Sequence, residues 1–258
     1  MDLRIDGLRV LVTAGASGIG LAIATALVEE GARVHVCDVD AKALSAAKAA
    51  LPTVMTSVCD VSDRASVAAL FDTQIKEFGG LDCLVNNAGI AGPTGRVDEI
   101  SPEDWESTLA VNITGQFNCV RLAVKHLAKS DNASIINLSS AAGRVGFGLR
   151  TPYAASKWAV IGFTKSLSIE LAELGIRANA ILPGVVAGER QDRVLTEKAK
   201  AAGVSLDEMK RRALDRVSVK EMISPQQLAD TILFLVSPRA RTTSGQAISV
   251  CGDLQSLS

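Results

Sequence analysis

Several absences narrow what this 258-residue chain can do. No uninterrupted apolar run reaches the ~18 residues of a bilayer-spanning helix, and the opening 1-MDLRIDG-7 lacks the apolar stretch of a signal peptide. Neither sign of charge dominates. The chain has 27 Lys and Arg against 28 Asp and Glu, net −1, so no general attraction to nucleic acid or to an anionic membrane surface is expected. The five cysteines (Cys37, Cys59, Cys83, Cys119, Cys251) are odd in number, scattered and set mostly in apolar runs. Without C-x-x-C or Cys/His spacing they indicate no metal site, and they read as reduced core thiols of a soluble, cytoplasmic protein. No linker, low-complexity tract or internal repeat breaks the chain, and aromatics are few, with a single tyrosine.

What is present is a rhythm. Short apolar runs at 8–13, 33–38, 53–58, 81–87, 134–139, 176–182 and 247–250 alternate with helix-period segments near 18–30, 41–50, 63–78, 102–129, 152–174 and 225–236. Strands apolar on both faces and separated by helices predict an α/β domain, a doubly wound parallel sheet covered on both sides. Residues 1–258 are expected to form one such domain, and 48% hydrophobic content is ample for its core. Helix starts are marked at Ser62-Asp63 and at Ser101-Pro102-Glu103-Asp104, where a cap, a first-turn proline and acidic residues follow in order. The charged helical stretch at about 185–220 falls outside the rhythm. It follows a strand C-terminus, where open α/β sheets bind ligands, and reads as a substrate lid or as a surface excursion over the core.

The stretch 10-VLVTAGASGIGLAIA-24 runs from a buried strand through a glycine turn into a helix. Its Gly15, Gly18 and Gly20 give G-x-x-G-x-G, which is neither of the usual phosphate-loop spacings. Small residues at 14–18 still let backbone N–H groups approach a pyrophosphate, at the positive end of the helix starting near Gly18. Asp38 ends the second strand, where a carboxylate can bind both ribose hydroxyls of an adenosine and repel a 2′-phosphate. Val39 adds no cation for such a phosphate, so NAD is favoured over NADP; the other reading of Asp38 is a loop residue capping the next helix. At the ends of the third and fourth strands, Asp60 is placed to meet an adenine amino group, Asn86 and Asn87 to satisfy loop backbone, and Ala88 and Gly89 to leave room for a ribose. Each of these is also an ordinary turn residue.

The segment 137-NLSSAAGRVGFGLRTPYAASKWAVIGF-163 carries the chemistry. Ser140 lies just past a strand end, Tyr153 starts a helix, and Lys157 follows one turn on, on the same face as the phenol. A free phenol has a pKa near ~10, and taking a proton from an alcohol near neutral pH requires about 3–4 kcal/mol of preferential phenolate stabilisation. A fixed neighbouring cation supplies that directly. Y-x-x-x-K alone is a common accident; joined to Ser140, the glycine turn, Asp38 and NNAG in this order, it is not.

With TAGASGIG (13–20), NNAG (86–89), N-x-S-S (137–140), YAASK (153–157) and PG (183–184), the chain resembles the classical short-chain dehydrogenase/reductase family from Val10 to about Gly252. The resemblance implies a Rossmann-type sheet of about seven parallel strands, a homotetramer, and a catalytic tetrad of Asn112, Ser140, Tyr153 and Lys157, in which the Asn112 side chain organises a water linking Lys157 to solvent. It further implies cofactor contacts from Gly15, Ser17, Gly18, Ile19 and Gly20, from Asp38, Asp60 and Val61, from Asn87, Ala88 and Gly89, from Tyr153 and Lys157, and from Pro183, Gly184 and Val186. Two positions depart from the pattern. Ala14 stands where the family usually has its first glycine, tolerable if the backbone keeps a negative φ. Gly188 stands where a threonine often contacts the nicotinamide amide, which leaves that contact mostly to backbone near Val186 or to other lid residues.

The expected reaction is NAD-dependent interconversion of a secondary alcohol and a ketone on a small-molecule substrate. Arg144, Arg150, Arg190 and Arg193 near the expected pocket suit carboxylates and polyhydroxylated molecules, pointing to a sugar acid, polyol or hydroxy acid. Equally, they are surface or subunit-contact residues. The competing enzyme reading is a 3-oxoacyl thioester reductase, and the competing class a non-catalytic NAD-binding regulatory subunit.

Overall fold

The computed structural model describes residues 2–255, apart from the side chains of Glu189, Arg190 and Ala201. The apolar runs form β1 (Arg9–Thr13), β2 (Arg33–Asp38), β3 (Met55–Val58), β4 (Cys83–Asn86), β5 (Ser134–Leu138), β6 (Arg177–Pro183) and β7 (Ala247–Val250). All pair in parallel in the order β3-β2-β1-β4-β5-β6-β7. The central strands are buried on both faces and the edge strands β3 and β7 only partly, as expected for a sheet between two helical layers. The helices are α1 (Gly18–Glu29), α2 (Ala41–Ala50), α3 (Arg64–Phe78), α4 (Pro102–Leu109), α5 (Gly115–Leu127), α6 (Thr151–Glu170), α7 (Glu189–Ala202), α8 (Leu206–Leu214) and α9 (Pro225–Val236).

Strand alternation divides the core. On one face Val10, Val12, Val34, Val36 and Ile136 meet Ile23 and Leu27 of α1 and Leu228, Ile232 and Leu235 of α9. On the other, Leu11, Leu84, Ile135 and Ala178 meet Val67, Leu70 and Phe71 of α3, Val120 and Leu127 of α5, and Leu167 of α6. The chain leaves β1 towards β2 and β3, then returns to β4 on the opposite side of β1. The carboxyl ends of β1 and β4 therefore open a crevice at the switch point, the usual ligand position in such sheets.

Two helical expectations are refined. Ser101 accepts from Asp104 N with Pro102 at the first turn, and Asp63 accepts from Ala65 N, so both start signals act as caps. The single helix expected over 102–129 is instead broken by a π-helical turn at Ala110–Thr114. One extra residue per turn rotates Asn112 into the interior, where it is fully buried.

One buried titratable group lies away from the crevice. His35 of β2 bonds Gln74 Oε1 through Nδ1 and Ser57 Oγ through Nε2, both at 2.9 Å. Gln74 Nε2 donates to Gly80 O, which fixes the amide orientation and places the imidazole proton on Nδ1. Burial lowers the His35 pKa from 6.5 to about 4, against a smaller opposing effect of the Gln74 hydrogen bond. The unfolded chain then binds a proton through a pH range where the folded one does not. Stability is full above pH ~6.5 and falls as pH drops towards ~4, by about 2–3 kcal/mol at pH ~4.5. Urea unfolding of His35→Gln should show a shallower loss between neutral and acid pH than wild type; equal losses would contradict this assignment.

Candidate active site

The turn after β1 is held from both sides. Ala14 adopts φ 48°, correcting the expectation that its backbone stays at negative φ. A left-handed L-residue costs roughly 1–2 kcal/mol, and local bonds impose it. Asn87 Nδ2 donates to Thr13 O (3.1 Å) and Ala14 O (2.9 Å), and Gly15 N donates to Cys37 O (3.0 Å). Thr13 Oγ1 accepts from Asn87 N and Ala88 N, each at 3.0 Å, so β1 and β4 are clasped at the crevice. Glycine is required at two of the three positions by contact: a Cβ on Gly15 would lie 2.7 Å from Val36 Cβ, and one on Gly20 2.1 Å from Ala14 O. Gly18, at φ 51°, opens onto unfilled space.

The start of α1 differs from those of its neighbours. Asp40 and Asp63 cap α2 and α3, whereas Ser17 makes no side-chain cap and the first turn of α1 carries no acid. Its first N–H groups, from Gly18 and the partly buried Ile19 onward, therefore face an anion-accepting space. The capping alternative for Asp38 falls away because Asp40 fills that role. Asp38 instead reaches the turn, accepting from Ala16 N (3.4 Å) and Asp40 N (3.2 Å). Asp60 is exposed and accepts from Ser62 N and Oγ. Val61 is buried against Gly115, and its carbonyl accepts from Asn118, so a ligand contact from Val61 falls to its N–H. An uncapped helix start, a glycine opening and a carboxylate at the end of β2 fit the pyrophosphate and ribose of a nicotinamide dinucleotide.

Two of the expected tetrad, Asn112 and Lys157, meet beside Gly89, and Tyr153 lies one helical turn before Lys157. Lys157, buried on α6, donates from Nζ to Leu138 O (2.9 Å) and lies 5.7 Å from the Tyr153 ring centroid. A Cβ on Gly89 would stand 3.3 Å from Lys157 Nζ and 3.2 Å from Asn112 Oδ1. Ser140 is half-buried just past β5, where its Oγ accepts from Ala142 N and retains its own proton for donation. Asn112 makes three hydrogen bonds within the protein. Its Oδ1 accepts from Ile90 N (2.7 Å), and its Nδ2 donates to Ile90 O and Ser156 Oγ, both at 3.0 Å. Both N–H groups are thus spent on protein, and the amide clamps the chain after Gly89 onto α6.

The three arginines with described side chains, Arg144, Arg150 and Arg193, do not form a group. Arg144 is exposed and turned to β7, bonding Ser249 Oγ and Ala247 O, which corrects its placement as a substrate contact. Arg150 is buried and ties the 90–94 segment through Ala91 O (2.6 Å) and Thr94 Oγ1 (3.4 Å). Arg193 is exposed on α7, and the Arg190 side chain lies outside the described residues. Beyond β6, Pro183 is buried and Gly184 packs against Cys251. Val185 O and Ala187 N both bond Ile223. Strand alternation therefore turns the Val186 N–H and C=O to the opposite side, where an amide could pair with both. Gly188 has φ 136° and ψ 170°, a region essentially restricted to glycine, which accounts for the missing threonine.

Sequence reading missed Thr13, Ser139, Ser156 and Lys198. Ser139 Oγ donates to Lys157 O (2.7 Å), and Ser156 Oγ joins Asn112 to Tyr153 O. A hydroxyl ending an apolar strand and a serine beside a helical lysine were the available signals. Lys198 gave none.

Comparison with known proteins agrees with this geometry. The family profile described as short chain dehydrogenase matches residues 9–199. A 3-oxoacyl-acyl-carrier-protein reductase of Thermotoga maritima is 36% identical over 98% of this chain and 99% of its own. Among solved structures, NAD+-bound xylitol dehydrogenase superposes with TM-score 0.92 at 27% identity, covering 96% of this chain and 99% of the other. An actinorhodin polyketide ketoreductase with NADPH gives TM-score 0.90 at 34% identity, covering 94% and 95%.

The strained turn generates a paired prediction. Ala14→Gly should raise stability by up to ~1 kcal/mol, the relief of strain offset by glycine's freedom in the unfolded chain. Gly20→Ala should lower it by about 1–3 kcal/mol through overpacking against Ala14 O. Thermal melts of both variants check the two signs.

Proposed function

The chain belongs to the short-chain dehydrogenase family, and on that premise we propose that it is an NAD-preferring oxidoreductase interconverting a secondary alcohol and a ketone on a small polar hydroxylated compound. The observation that carries the reading is the Lys157 ammonium, pinned to Leu138 O beside the chain's single tyrosine. Oxidation needs a base for the hydroxyl proton. Tyr153 takes that proton, Lys157 sets its cation beside the phenol ring, and Ser140 Oγ donates to the substrate oxygen. A nicotinamide held here would supply the acceptor for the hydride of the carbinol carbon. The start of α1 would hold its pyrophosphate, Asp38 the adenosine ribose, and the Val186 backbone the carboxamide. Asp38 supports NAD over NADP, since a 2′-phosphate would meet a carboxylate with exposed Val39 beside it.

The stretch at 185–220 acts as a lid in this reading. It is fastened by the Val186–Ile223 and Val217–Leu254 bridges, and its α7 brings Lys198 to the Phe147 ring. Exposed Trp105, Phe117, Trp158 and Ile169 on α4, α5 and α6 support burial of these helices in a homotetramer. The free thiols support a cytoplasmic location, and among the described residues no helix is long and apolar enough to cross a membrane. A 3-oxoacyl thioester reductase is the second reading, favoured by the Thermotoga maritima relative.

Tyr153→Phe should reduce turnover by about 10²–10⁴-fold while NADH binding, read by fluorescence, persists. Undiminished turnover would remove the proposed base. Asp38→Ala should raise the NADP-to-NAD ratio of kcat/KM by about tenfold or more, the discrimination of one lost charge contact; an unchanged ratio would remove Asp38 from the cofactor site.

A further inference from the structure

Two basic side chains share an aromatic wall with the phenol, and oxidation of a neutral alcohol has no use for them. Phe147, between β5 and α6, stands edge-on to Tyr153 with ring centroids 6.4 Å apart and planes at 76°. The Arg150 guanidinium lies 5.5 Å from each of these two rings, and Lys198 Nζ of α7 lies 4.9 Å from the Phe147 centroid. Arg150 is fixed there by its bonds to Ala91 O and Thr94 Oγ1. Among the described residues no ion pair includes Lys198, although Lys200, two positions on, is paired with Glu197. Burial lowers the Lys198 pKa, and the charges of Arg150 and Arg216 lower it further. An ammonium withdrawn from water, cushioned on a ring and repelled by two guanidiniums is stabilised by an incoming anion.

We propose that Lys198 is a specificity-determining residue that binds a carboxylate carried by the alcohol, so that the substrates are small hydroxy acids. This rests on the alcohol-oxidising reading above and narrows it. The position of the cation limits the ligand as well as its charge. Lys198 and Arg150 are one aromatic ring away from the phenol, so the anion must lie only a few bonds from the carbinol carbon. A carboxylate on a short chain meets that condition. The phosphates of a carrier-bound thioester, far from their reacting carbon, do not. An uncharged polyol offers nothing to Lys198 that water does not.

The test is steady-state oxidation by the full chain at saturating NAD, on matched pairs: 3-hydroxybutyrate against 3-hydroxybutyramide, and gluconate against glucitol. Wild type should prefer the acid in at least one pair by about tenfold or more in kcat/KM, the scale of one charge-assisted contact. Lys198→Gln should lower that preference by about the same factor, mainly through KM, and Lys198→Arg should largely keep it. Lys200→Gln, the same charge change on the exposed face of α7, should leave the preference in place. A wild type that favours the neutral member of both pairs overturns the inference, as does a Lys198→Gln variant that slows acid and neutral alcohols equally. Should no alcohol be oxidised, the dehydrogenase reading fails separately. Titration of 3-hydroxybutyrate and gluconate against the NADH-bound protein then decides the carboxylate site: binding weakened by Lys198→Gln upholds it, and binding indifferent to that change ends it.

Discussion

The Lys157 ammonium donates to the Leu138 carbonyl at 2.9 Å, and the Lys157 carbonyl accepts from Ser139 Oγ at 2.7 Å, so one residue of α6 is tied to the end of β5 at both its side chain and its backbone. A buried ammonium needs such partners, because desolvation without them would favour its neutral form. A flexible four-carbon side chain also gives up considerable freedom when fixed. The two bonds together set the register of α6 against the sheet. Tyr153 lies one turn earlier on the same helix, so its ring position relative to β5 and Ser140 follows from that register. In the proposed reaction the cation must keep one place beside the phenol, which a mobile surface lysine would not do.

The remaining polar groups serve that placement from three directions. Asn112 clamps Ile90 and, through Ser156, the Tyr153 carbonyl, joining the chain beyond β4 to the first turn of α6. Below it, Asn86 Nδ2 bonds Asn137 Oδ1 at 2.9 Å and Asn137 Nδ2 bonds Thr164 Oγ1 at 3.0 Å, linking β4, β5 and α6 inside the core. On the cofactor side, Asn87 and Thr13 clasp β4 to β1 and hold Ala14 left-handed. Buried hydrogen-bond networks of this kind are rigid because breaking any member strands a polar group away from water. The crevice is thus stiff at its floor, where proton and hydride must be placed accurately.

What could be read from the residues follows the range of the forces involved. Parallel strands buried on both faces leave continuous apolar runs, and all seven were visible with ends shifted by a residue or two. The Ser101 and Asp63 caps are local chemistry and were equally visible. The π turn at Ala110–Thr114 was not, because one inserted residue leaves the apolar periodicity of a long helix almost unchanged. Ala14 was misjudged since its φ is set by Asn87, 73 positions away. Long cationic side chains were the least legible. Arg144 could have faced the crevice, yet it bonds β7, 103 positions on, and Lys198 gains its setting only when α7 folds over Phe147. Their reach exceeds the distance over which sequence spacing constrains direction.

Gly188 shows how the chain separates placing chemistry from choosing substrate. Its φ of 136° and ψ of 170° let the backbone turn sharply from the Val186 bridge into α7, and a side chain at that point would strain the turn. In the proposed cofactor site the carboxamide is then left to main-chain groups, whose direction is fixed by the pairing of Val185 and Ala187 with Ile223. The same turn launches a helix anchored by buried Leu195 and Ala199, four residues apart on one face, with Lys198 alongside. In the proposed reading, substitutions on the other faces of α7 alter what the crevice accepts, while Lys157 and the Tyr153 carbonyl are held by Leu138, Ser139 and Ser156. Under the proposed reaction, substrate choice is carried by a segment that depends on the sheet for its position, while the groups that move the proton are held by the sheet itself.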